Sequence, residues 1–421
     1  MIDLNRIRTE TEAVQAALGK RGVEVDFGPM LQQDKARREA IGQTEALKAR
    51  RNELSGQVPR IKKEGGDPAP LFAQVRAIGE EIKALDAKVA ALDAAVKEQL
   101  YALPNLPDDD VVAGGKEQNA VLRQWGEKPA DAPRNHVELA ESLGLIDYAR
   151  GAKLSGNGYW LYTGVGAQLE WALLNYFVQS HLQDGYRFML VPHMLGEACG
   201  FTAGQFPKFR DEVYRVDEGE MFMLPTAETA LVNLHRDEIL PEDLFPLKYF
   251  SYTPCYRKEA GSYRAEERGM IRGHQFNKVE MVQYALPERS GESFEELVDK
   301  AERLVRGLGL HYRVSKLAAG DVSASMARTY DIEVWIPSMG IYKEVSSVSN
   351  ANDYQARRGN IRVRRKDSKK LEFAHTLNGS GLATSRILPT ILEQYQQPDG
   401  SVVVPEVLRP YIGLDRIERQ A

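Results

Sequence analysis

The sequence has very little cysteine and no long apolar segment. Cys199 and Cys255 are the only cysteines in 421 residues, too few for a disulfide framework or a four-cysteine zinc site. No run of about 18 apolar residues could form a transmembrane helix. The N-terminal segment MIDLNRIRTETEAVQ is too charged for a signal peptide. We therefore expect a cytoplasmic protein that does not contact a membrane.

The composition is that of a globular protein. Hydrophobic residues make up 43% and charged residues 27% of the chain, which is enough apolar material for a sizeable core. A length of 421 residues predicts two or more domains, because single cores stop growing below that size. The net charge of −5 argues against nucleic-acid binding over the whole surface, so any such binding needs a local basic patch.

Residues 30 to 100 carry the heptad pattern of two coiled-coil helices. Seam residues recur at alternating spacings of four and three. The first series is Ala40, Thr44, Leu47, Arg51, Leu54, Val58 and Ile61, and the second is Leu71, Val75, Ile78, Ile82, Leu85, Val89, Leu92 and Val96. Between them, KKEGGDPAP at residues 62–70 predicts a tight turn. We predict an antiparallel hairpin, called the helical arm below, that extends roughly 45 Å.

The first helix of the helical arm is basic. Residues 35–64 contain nine Lys or Arg against four Glu, whereas residues 71–100 contain four basic and five acidic residues. A basic helix in an acidic protein indicates a nucleic-acid contact. The candidate contact residues are Lys35, Arg37, Arg38, Lys48, Arg50 and Arg51. The alternative is a dimerisation or scaffold coiled coil with a solvated charged face. Pro59 predicts a kink close to the turn.

A change in composition marks the end of the arm. The segment ALPNLPDDDVVAGGKEQN, residues 102–119, combines prolines, three consecutive aspartates and a glycine pair, which is typical of a linker. We therefore expect a helical domain over residues 1–103, a linker over 104–120 and a larger domain over 121–421.

The stretch from Tyr256 to Glu280 predicts a strand, a loop and a second strand. An alternating aromatic-rich run precedes it, and the second run extends from Ile271 to Tyr284. Its cationic side chains are Arg257, Arg264, Arg268, Arg272 and His274. Guanidinium groups match phosphate oxygens in geometry and charge, so the loop could clamp a polyphosphate. An ordinary solvated hairpin is the alternative.

Three further segments carry chemistry. Thr226-Ala227-Glu228 follows the predicted strand Met221–Leu224 and joins a hydroxyl to a carboxylate. Glu344-Val345-Ser346-Ser347 is predicted to end the strand that begins at Ile341, and carboxylate and hydroxyl oxygens suit magnesium. Residues 377–396 predict a strand, a glycine turn and a helix with Arg386 near its start, where the helix dipole favours an anion.

Together these segments resemble the class II seryl-tRNA synthetases of the bacterial type over essentially the whole chain. A helix and a strand ending at Pro192 resemble the first class II motif, the dimer element. The R-x-E triplet at Arg257 with HQF-x-KVE resembles the second motif, and LNGSGLA with Arg386 resembles the third. The TAE triplet, EVSS followed by SN, and the basic helical arm are particular to the seryl branch.

The resemblance implies a fold and a set of partners. It implies an α+β class II catalytic domain, with an antiparallel sheet flanked by helices, preceded by an antiparallel coiled-coil arm that binds tRNA. It further implies a homodimeric ligase that uses ATP, Mg²⁺ and L-serine to charge tRNA(Ser), with tRNA(Sec) as a further acceptor to consider.

The resemblance also implies individual roles. Arg257 would grip the ATP α-phosphate and the serine carboxylate, Glu259 the adenine amino group, and Phe276 the adenine ring. Glu344 and Ser347 would hold magnesium, and Arg386 the γ-phosphate. Serine would contact Thr226, Ala227, Glu228, Glu280 and Ser380. The wider ATP set adds Lys258, Gly273, His274, Gln275, Val345 and Ser346. Glu280, bonded to the serine hydroxyl, would reject alanine by roughly 10⁴-fold.

The sequence departs from the family at Val348, where cysteine is frequent, at Asn277, where aspartate is commoner, and at the variable Lys258. None of these is a named substrate-contact residue except Lys258. The zinc-dependent seryl type is disfavoured, because neither cysteine has a metal-ligand spacing.

Two other functions remain open from the sequence. One is a paralogue that activates serine but transfers it to a carrier protein or small amine, for which a basic arm has no use. The other is a non-catalytic RNA-binding or scaffold protein on a synthetase fold. Arg257, Glu280, Glu344 and Arg386 argue against the second alternative.

Overall fold

The computed structural model describes residues 1–129, 132–259 and 269–419, and they form two compact units. One unit contains Ile2–Gln15 and Glu24–Leu103, and the other contains Met1, Ala16–Val23 and the chain from Pro104. Arg264, Arg268 and most of the predicted loop lie outside the described residues. Within the described chain, no helix has the length and apolarity needed to cross a membrane.

The elements are numbered here in chain order. The helices are α1 (Leu4–Thr9), α2 (Thr11–Gly19), α3 (Gly28–Lys63), α4 (Ala69–Ala102), α5 (His136–Ser142), α6 (Tyr148–Ser155), α7 (Gly164–Gln183), α8 (Glu197–Ala203), α9 (Glu228–Leu231), α10 (Ser290–Gly307), α11 (Tyr354–Gly359), α12 (Thr384–Gln394) and α13 (Arg409–Ile412). The strands are β1 (Ala120–Trp125), β2 (Ile146–Asp147), β3 (Leu161–Tyr162), β4 (Arg187–Phe188), β5 (Met194–Gly196), β6 (Arg215–Val216), β7 (Met221–Met223), β8 (Ile239–Pro241), β9 (Leu247–Tyr256), β10 (Gln275–Ala285), β11 (Tyr312–Lys316), β12 (Arg328–Ile336), β13 (Ile341–Asn350), β14 (Arg362–Arg364), β15 (Leu371–Phe373), β16 (His375–Ala383), β17 (Val402–Val403) and β18 (Arg416–Ile417).

A large sheet organises the second unit. Within the described chain its eight strands run in the order β1-β11-β12-β13-β16-β10-β9-β4. All neighbours are antiparallel except β4, which pairs parallel to β9 at one edge. Helices α7, α10 and α12 contribute Leu173, Leu297 and Leu388 to the main apolar core, which they share with the sheet. This is the predicted α+β architecture of an antiparallel sheet flanked by helices.

Two local predictions were wrong. Glu344 to Ser347 do not end a strand, because β13 continues to Asn350 and pairs with both β12 and β16. Likewise, β16 contains no glycine turn and leads directly into α12. Its glycine at Gly381 serves close packing: a Cβ there would lie 2.2 Å from Nε2 of His181. A glycine in a strand can mark such close approach as well as a turn.

The helical arm consists of α3 and α4. Both helices have a proline in the first turn, where its missing N–H is not needed. The seam is the least exposed side: Ala40 and Leu54 on α3 are buried, as are Ile82 and Val96 on α4. Helix α3 ends at Lys63 and α4 begins at Ala69, so the predicted turn is confirmed. Pro59 lies inside α3 in its final turns.

Asp34 on α3 is a buried carboxylate with three arginine partners. Its side chain accepts hydrogen bonds from Nε of Arg8 at 2.7 Å, Nη2 of Arg37 at 3.1 Å and Nε of Arg38 at 3.1 Å. Burial acts to raise the pKa of Asp34, but the hydrogen bonds from Arg8 and Arg37 outweigh it and hold the pKa below its usual value. Arg37 also donates to Asp93 of α4 at 2.7 Å, so this cluster links the two helices.

We expect Asp34→Asn to destabilise the helical unit by about 2 kcal/mol, because it removes the carboxylate shared by Arg8, Arg37 and Arg38. This loss is smaller than the loss expected for breaking a fully buried ion pair, because the arginines are partly exposed and solvent screens their charges. Thermal unfolding followed by far-UV circular dichroism measures the change. The control is Glu81→Gln on the exposed face of α4, which should change stability by less than about 0.5 kcal/mol. Equal stabilities for both variants would contradict the structural role of Asp34.

Candidate active site

The second unit contains a central pocket of about 310 Å³ on the face of the large sheet. Strands β10, β13 and β16 supply its floor, and residues next to α9 and at the start of α12 complete it. Its lining is mostly polar: Gln205, Thr226, Glu228, Arg257, Glu259, Ile271, Arg272, Gly273, Phe276, Lys278, Glu280, Ser323, Ser325, Met326, Glu344, Val345, Ser347, Ser349, Asn378, Ser380, Ala383, Ser385 and Arg386. A concave site with convergent charged groups is the usual form of an enzyme active site.

Strand β10 supplies a row of side chains to the pocket. Phe276, Lys278 and Glu280 alternate along it and line the pocket, whereas Val279 and Met281 belong to the apolar core. The strand is paired on both sides, with β9 and with β16. These pairings set Glu280 opposite Ser251 on one side and Ser380 on the other. Neighbouring strands therefore fix the position of each pocket side chain.

Arg257 lies just beyond the end of β9, at one end of the pocket. Its Nε donates to the carbonyl of Pro225 at 3.1 Å, and its guanidinium lies 5.1 Å from the ring centroid of Phe276. The backbone of Arg257 is fixed by His274, whose carbonyl accepts from Arg257 N at 2.8 Å. Next to it, Glu259 accepts from Nε of Arg272 at 2.6 Å. This end thus combines an aromatic face with two guanidinium groups, a combination suited to a nucleotide.

Arg386, in the first turn of α12, contacts a second acidic group. Its Nη1 donates to the backbone carbonyl of Glu344 at 2.7 Å and lies 3.3 Å from the Glu344 carboxylate. The Nε of Arg386 also donates to the carbonyl of Ile271 at 3.2 Å. The arginine therefore connects the helix start, strand β13 and the segment before β10 at one point of the pocket.

The residues around Glu344 fit a divalent cation. Asp331 on β12 pairs with Ser347 on β13, and Oδ1 of Asp331 is buried without a hydrogen-bond partner in the described chain. Burial raises the pKa of Asp331 well above its usual value, and the charge of Glu344 raises it further. The described residues hold no cluster of three or more His, Cys, Asp or Glu for a metal. Mg²⁺ can bind through one or two protein carboxylates and complete its shell with water and phosphate.

The opposite end of the pocket is a buried polar cluster around Glu280. Oε2 of Glu280 accepts from Oγ1 of Thr226 at 3.3 Å and from Oγ of Ser380 at 3.5 Å. Lys278 forms an ion pair with the same carboxylate and donates to Oγ1 of Thr226 at 2.8 Å. Glu280 and Lys278 are only 1% and 6% exposed, so their charges meet little water. A small polar ligand is therefore the kind of molecule this end can bind.

Glu228 is a second carboxylate at this end. Burial raises its pKa to about 7, and the charge of Glu280 adds to the rise. Gln355, Lys278 and Asn378 act in the opposite direction. The Gln355 amide donates to Oε1 of Glu228 at 2.8 Å and is itself held by Thr376, whose hydroxyl donates to it at 2.6 Å. A ligand cation beside Glu228 would favour its ionised form.

The chain is similar to known proteins over its whole length. Residues 209–395 match the family model of the tRNA synthetase class II core domain (G, H, P, S and T), and residues 1–107 match the seryl-tRNA synthetase N-terminal domain. Serine--tRNA ligase 2 of Clostridium acetobutylicum is 60% identical to the chain, over 99% of the chain and 100% of the relative.

The chain belongs to the seryl-tRNA synthetase family. Serine--tRNA ligase of Thermodesulfovibrio yellowstonii is 45% identical over 99% of the chain and 100% of its own length. The crystal structure of seryl-tRNA synthetase from Pyrococcus horikoshii complexed with ATP has a TM-score of 0.92 and 33% identity, with 100% of both chains covered. The cytoplasmic serine-tRNA ligase of Naegleria fowleri in complex with AMP has a TM-score of 0.87 and 27% identity, covering 100% of this chain and 99% of that one.

The central pocket brings together most of the residues that the seryl-tRNA synthetase resemblance implied. Those in its lining are Thr226, Glu228, Arg257, Glu259, Gly273, Phe276, Glu280, Glu344, Val345, Ser347, Ser380 and Arg386. Five others lie outside the lining: Ala227, Lys258, His274, Gln275 and Ser346. Ser346 is fully buried and donates to the carbonyl of Ser380 at 2.6 Å, so it supports the sheet. The carbonyl of His274 accepts a hydrogen bond from the backbone N–H of Arg257, as described above.

The sequence did not predict several residues that line the pocket or contact its lining residues. Lys278 could have been found, because it is two residues from both Phe276 and Glu280 and so lies on their face of the strand. The only sequence feature that pointed to Asp331 was weaker: it is an acidic residue within a strand of alternating polarity. Asn378 lies in the quoted LNGSGLA segment, but only the packing of α11 and β16 brings it and Gln355 to Glu228.

Glu170 of α7 is a further unpredicted residue that supports the pocket of this seryl-tRNA synthetase family member. Its Oε1 accepts from Nδ2 of Asn277 on β10 at 2.8 Å and from Oγ1 of Thr384 on α12 at 2.5 Å. Burial raises the pKa of Glu170 to about 7, although its hydrogen-bond donors Thr384 and Asn277 oppose the rise. One side chain thus connects the three family motifs. The uncommon Asn277 supplies an amide donor to this carboxyl.

The basic residues predicted on α3 are largely paired within the helical unit. Lys48 lies 3.3 Å from Asp86 and Arg50 lies 2.7 Å from Glu53, while Arg37 binds Asp34 and Asp93 as described. Lys35 and Arg51 form no ion pair with the described residues. The charge of α3 is therefore partly neutralised inside the protein.

We expect Glu170→Gln to change how stability depends on pH. The folded state retains a proton on Glu170 up to about pH 7 whereas the unfolded carboxyl releases it near pH 4.5, so wild-type stability falls as pH rises through this window. The loss is about 3 kcal/mol. The glutamine variant lacks this titration, so its free energy of unfolding, from urea titration at pH 5 and pH 8, should fall less. Surface Glu127→Gln should retain the wild-type dependence. An identical dependence in all three proteins would disprove the assignment.

Proposed function

We propose that the chain is a serine–tRNA ligase, which activates L-serine with ATP and transfers the seryl group to tRNA(Ser). The observation that carries the proposal is one pocket with two distinct ends. One end combines Arg257 and Phe276, and the other holds the buried polar cluster of Thr226, Lys278 and Glu280. A nucleotide and a small polar amino acid could therefore meet with the α-phosphate and the carboxylate side by side. Family membership supports this use of the pocket.

ATP occupies the Arg257 end in this proposal. Phe276 stacks on the adenine, Glu259 meets the adenine amino group, and Arg257 binds the α-phosphate together with the serine carboxylate. Arg386 binds the γ-phosphate of a bent ATP, aided by the N-terminal dipole of α12. Glu259 and Arg386 must first leave their present partners, Arg272 and Glu344.

Serine occupies the Glu280 end. Its hydroxyl donates to Glu280, with Ser380 close by, and its ammonium group is placed between Glu228 and Thr226. Alanine leaves the buried Glu280 without its ligand donor, which is the physical basis for rejecting it. The proposal requires that threonine be excluded by the size of its extra methyl group.

The reaction follows from this placement. An oxygen of the serine carboxylate attacks the α-phosphorus, and as the new P–O bond forms, the bond to pyrophosphate breaks. Arg257 and Arg386 stabilise the charge that spreads over the phosphate oxygens. Glu344 and Ser347 would hold Mg²⁺, which when bound neutralises phosphate charge. In the second step the terminal ribose hydroxyl of the tRNA takes the acyl group and AMP leaves.

We propose tRNA binding by the helical arm, residues 30–100, and division of the chain into an arm, a linker at 104–120 and a catalytic domain from 121. The basic face of α3 supports this, because RNA backbones attract clustered Lys and Arg. We further propose a homodimer in the cytoplasm. Trp171 on α7 and Leu190 and Met194 beyond the edge strand β4 are 57%, 79% and 53% exposed, and such apolar side chains fit an interface with a second copy.

The test of the function is serine-dependent exchange of pyrophosphate into ATP, measured with a panel of amino acids. Serine should support exchange, alanine and threonine should not, and chelation of Mg²⁺ should stop it. Arg257→Ala should abolish exchange, because the developing phosphate charge loses its cation. Absence of exchange with every amino acid would favour the non-catalytic scaffold, and near-normal exchange by Arg257→Ala would contradict the role of that residue.

Charging of tRNA(Ser) tests the helical arm and separates the ligase from a carrier-protein paralogue. The triple variant Lys35→Ala, Lys48→Ala, Arg50→Ala should raise the KM for tRNA(Ser) by about tenfold or more, since each exposed cation contributes to phosphate binding. Its serine-dependent exchange should stay within about twofold of wild type. The matched control removes Lys83, Lys88 and Lys97 from α4. Equal effects of the two triple variants would disprove a specific role of the α3 face.

A further inference from the structure

Lys278 occupies an unusual place for a lysine. It lies on β10, an interior strand paired on both edges, and it is 6% exposed. Its ammonium group contacts both polar partners of the proposed serine site, Oγ1 of Thr226 at 2.8 Å and the carboxylate of Glu280. A buried lysine is costly unless it is paired and hydrogen-bonded. Here it is both, and its partners are substrate-binding residues.

The charges of the pocket explain what the lysine does there. The Glu280 end contains two buried carboxylates, Glu280 and Glu228, and among the described lining residues Lys278 is the cation that contacts this cluster. Like charges at one site disfavour double ionisation. Lys278 places a positive charge against Glu280 and lowers the pKa of Glu228, which burial and the charge of Glu280 raise.

The geometry adds a second constraint. Lys278 donates to the Thr226 hydroxyl, so the oxygen of Thr226 is held with its proton directed elsewhere, and this hydroxyl in turn donates to Glu280 at 3.3 Å. The three side chains form a closed set in which each polar atom has a fixed direction. A ligand hydroxyl entering this set meets an acceptor that is already ordered, which lowers the entropic cost of binding.

We propose that Lys278 is a positioning residue for amino-acid selection: by pairing with Glu280 and Thr226 it holds the acceptor for the serine hydroxyl in a fixed orientation, and thereby sets the preference for serine over alanine. This inference rests on the proposed serine–tRNA ligase function. Lys278 contacts the substrate-binding residues and acts through them.

Lys278→Met keeps the length of the side chain without its charge, and we expect it to change amino-acid selectivity. In pyrophosphate exchange, the ratio of kcat/KM for serine to that for alanine should fall by about a hundredfold, mainly through a higher KM for serine. Loss of the lysine also removes a charge that favours the ionised form of Glu228. If Glu228 binds the serine ammonium group in its ionised form, the acidic limb of kcat/KM for serine should therefore move to higher pH in this variant.

Two further variants control for folding. Lys278→Arg keeps the cation and should retain most of the serine preference and the wild-type pH limb. Lys278→Gln keeps a hydrogen-bond donor without charge, and should lose the preference as Lys278→Met does; it replaces that variant if the methionine protein does not fold. Thermal unfolding of each protein is measured in parallel. A lower melting temperature with an unchanged serine-to-alanine ratio and an unchanged pH limb would reduce Lys278 to a structural residue and overturn the inference.

The outcome for the wild type separates this inference from the function itself. If the wild-type chain exchanges pyrophosphate with serine but the Lys278 variants keep its selectivity, the inference fails and the ligase function stands. If the wild type activates no amino acid, both fail. If the selectivity and the pH limb change together in Lys278→Met and Lys278→Gln but not in Lys278→Arg, the positioning role is supported.

Discussion

The pairing of β10 on both edges is the constraint on which the central pocket depends. A slip of one residue against β9 and β16 would turn Phe276, Lys278 and Glu280 toward the apolar core and bring core side chains into the pocket. The buried contact of Glu170 with Asn277 and Thr384 acts from the other face of the same strand. The register of β10 is thus fixed by its backbone hydrogen bonds with β9 and β16 and by a side-chain contact. This register sets the positions of the substrate-binding side chains.

Charged groups of the pocket are paired with one another. Arg272 binds Glu259, Arg386 binds Glu344, and Lys278 binds Glu280. Lys278 and Glu280 are buried, which is tolerable because each has a partner, whereas the two arginine pairs are partly exposed. A nucleotide brings new anionic groups for the arginines, so binding exchanges partners and creates few unpaired charges. The low cost of reorganisation is a property expected of sites that act by electrostatic preorganisation.

Periodicity predicted the parts of the structure that depend on local pattern. The heptads gave the two arm helices and their turn, and alternation gave β9 and β10, because these signals are set by helix and strand geometry. Prediction failed at β13 and β16, where the glycine at Gly381 reflects close packing on His181. Lys278 was missed because lysine in a strand usually faces solvent. Gln355 reaches Glu228 only through tertiary packing, which no local pattern encodes.

The internal ion pairs of α3 have a consequence for how RNA binding responds to salt. A phosphate that displaces Asp86 from Lys48, or Glu53 from Arg50, replaces one anion by another at the same cation. RNA binding would still release counterions from the RNA. Part of the free energy gained in this way would be offset by the loss of an ion pair within the protein. Any affinity of α3 for RNA should therefore be weaker than the nine basic residues at positions 35–64 suggest. Under the proposed binding of tRNA by α3, a weaker contact would help the enzyme release its charged product.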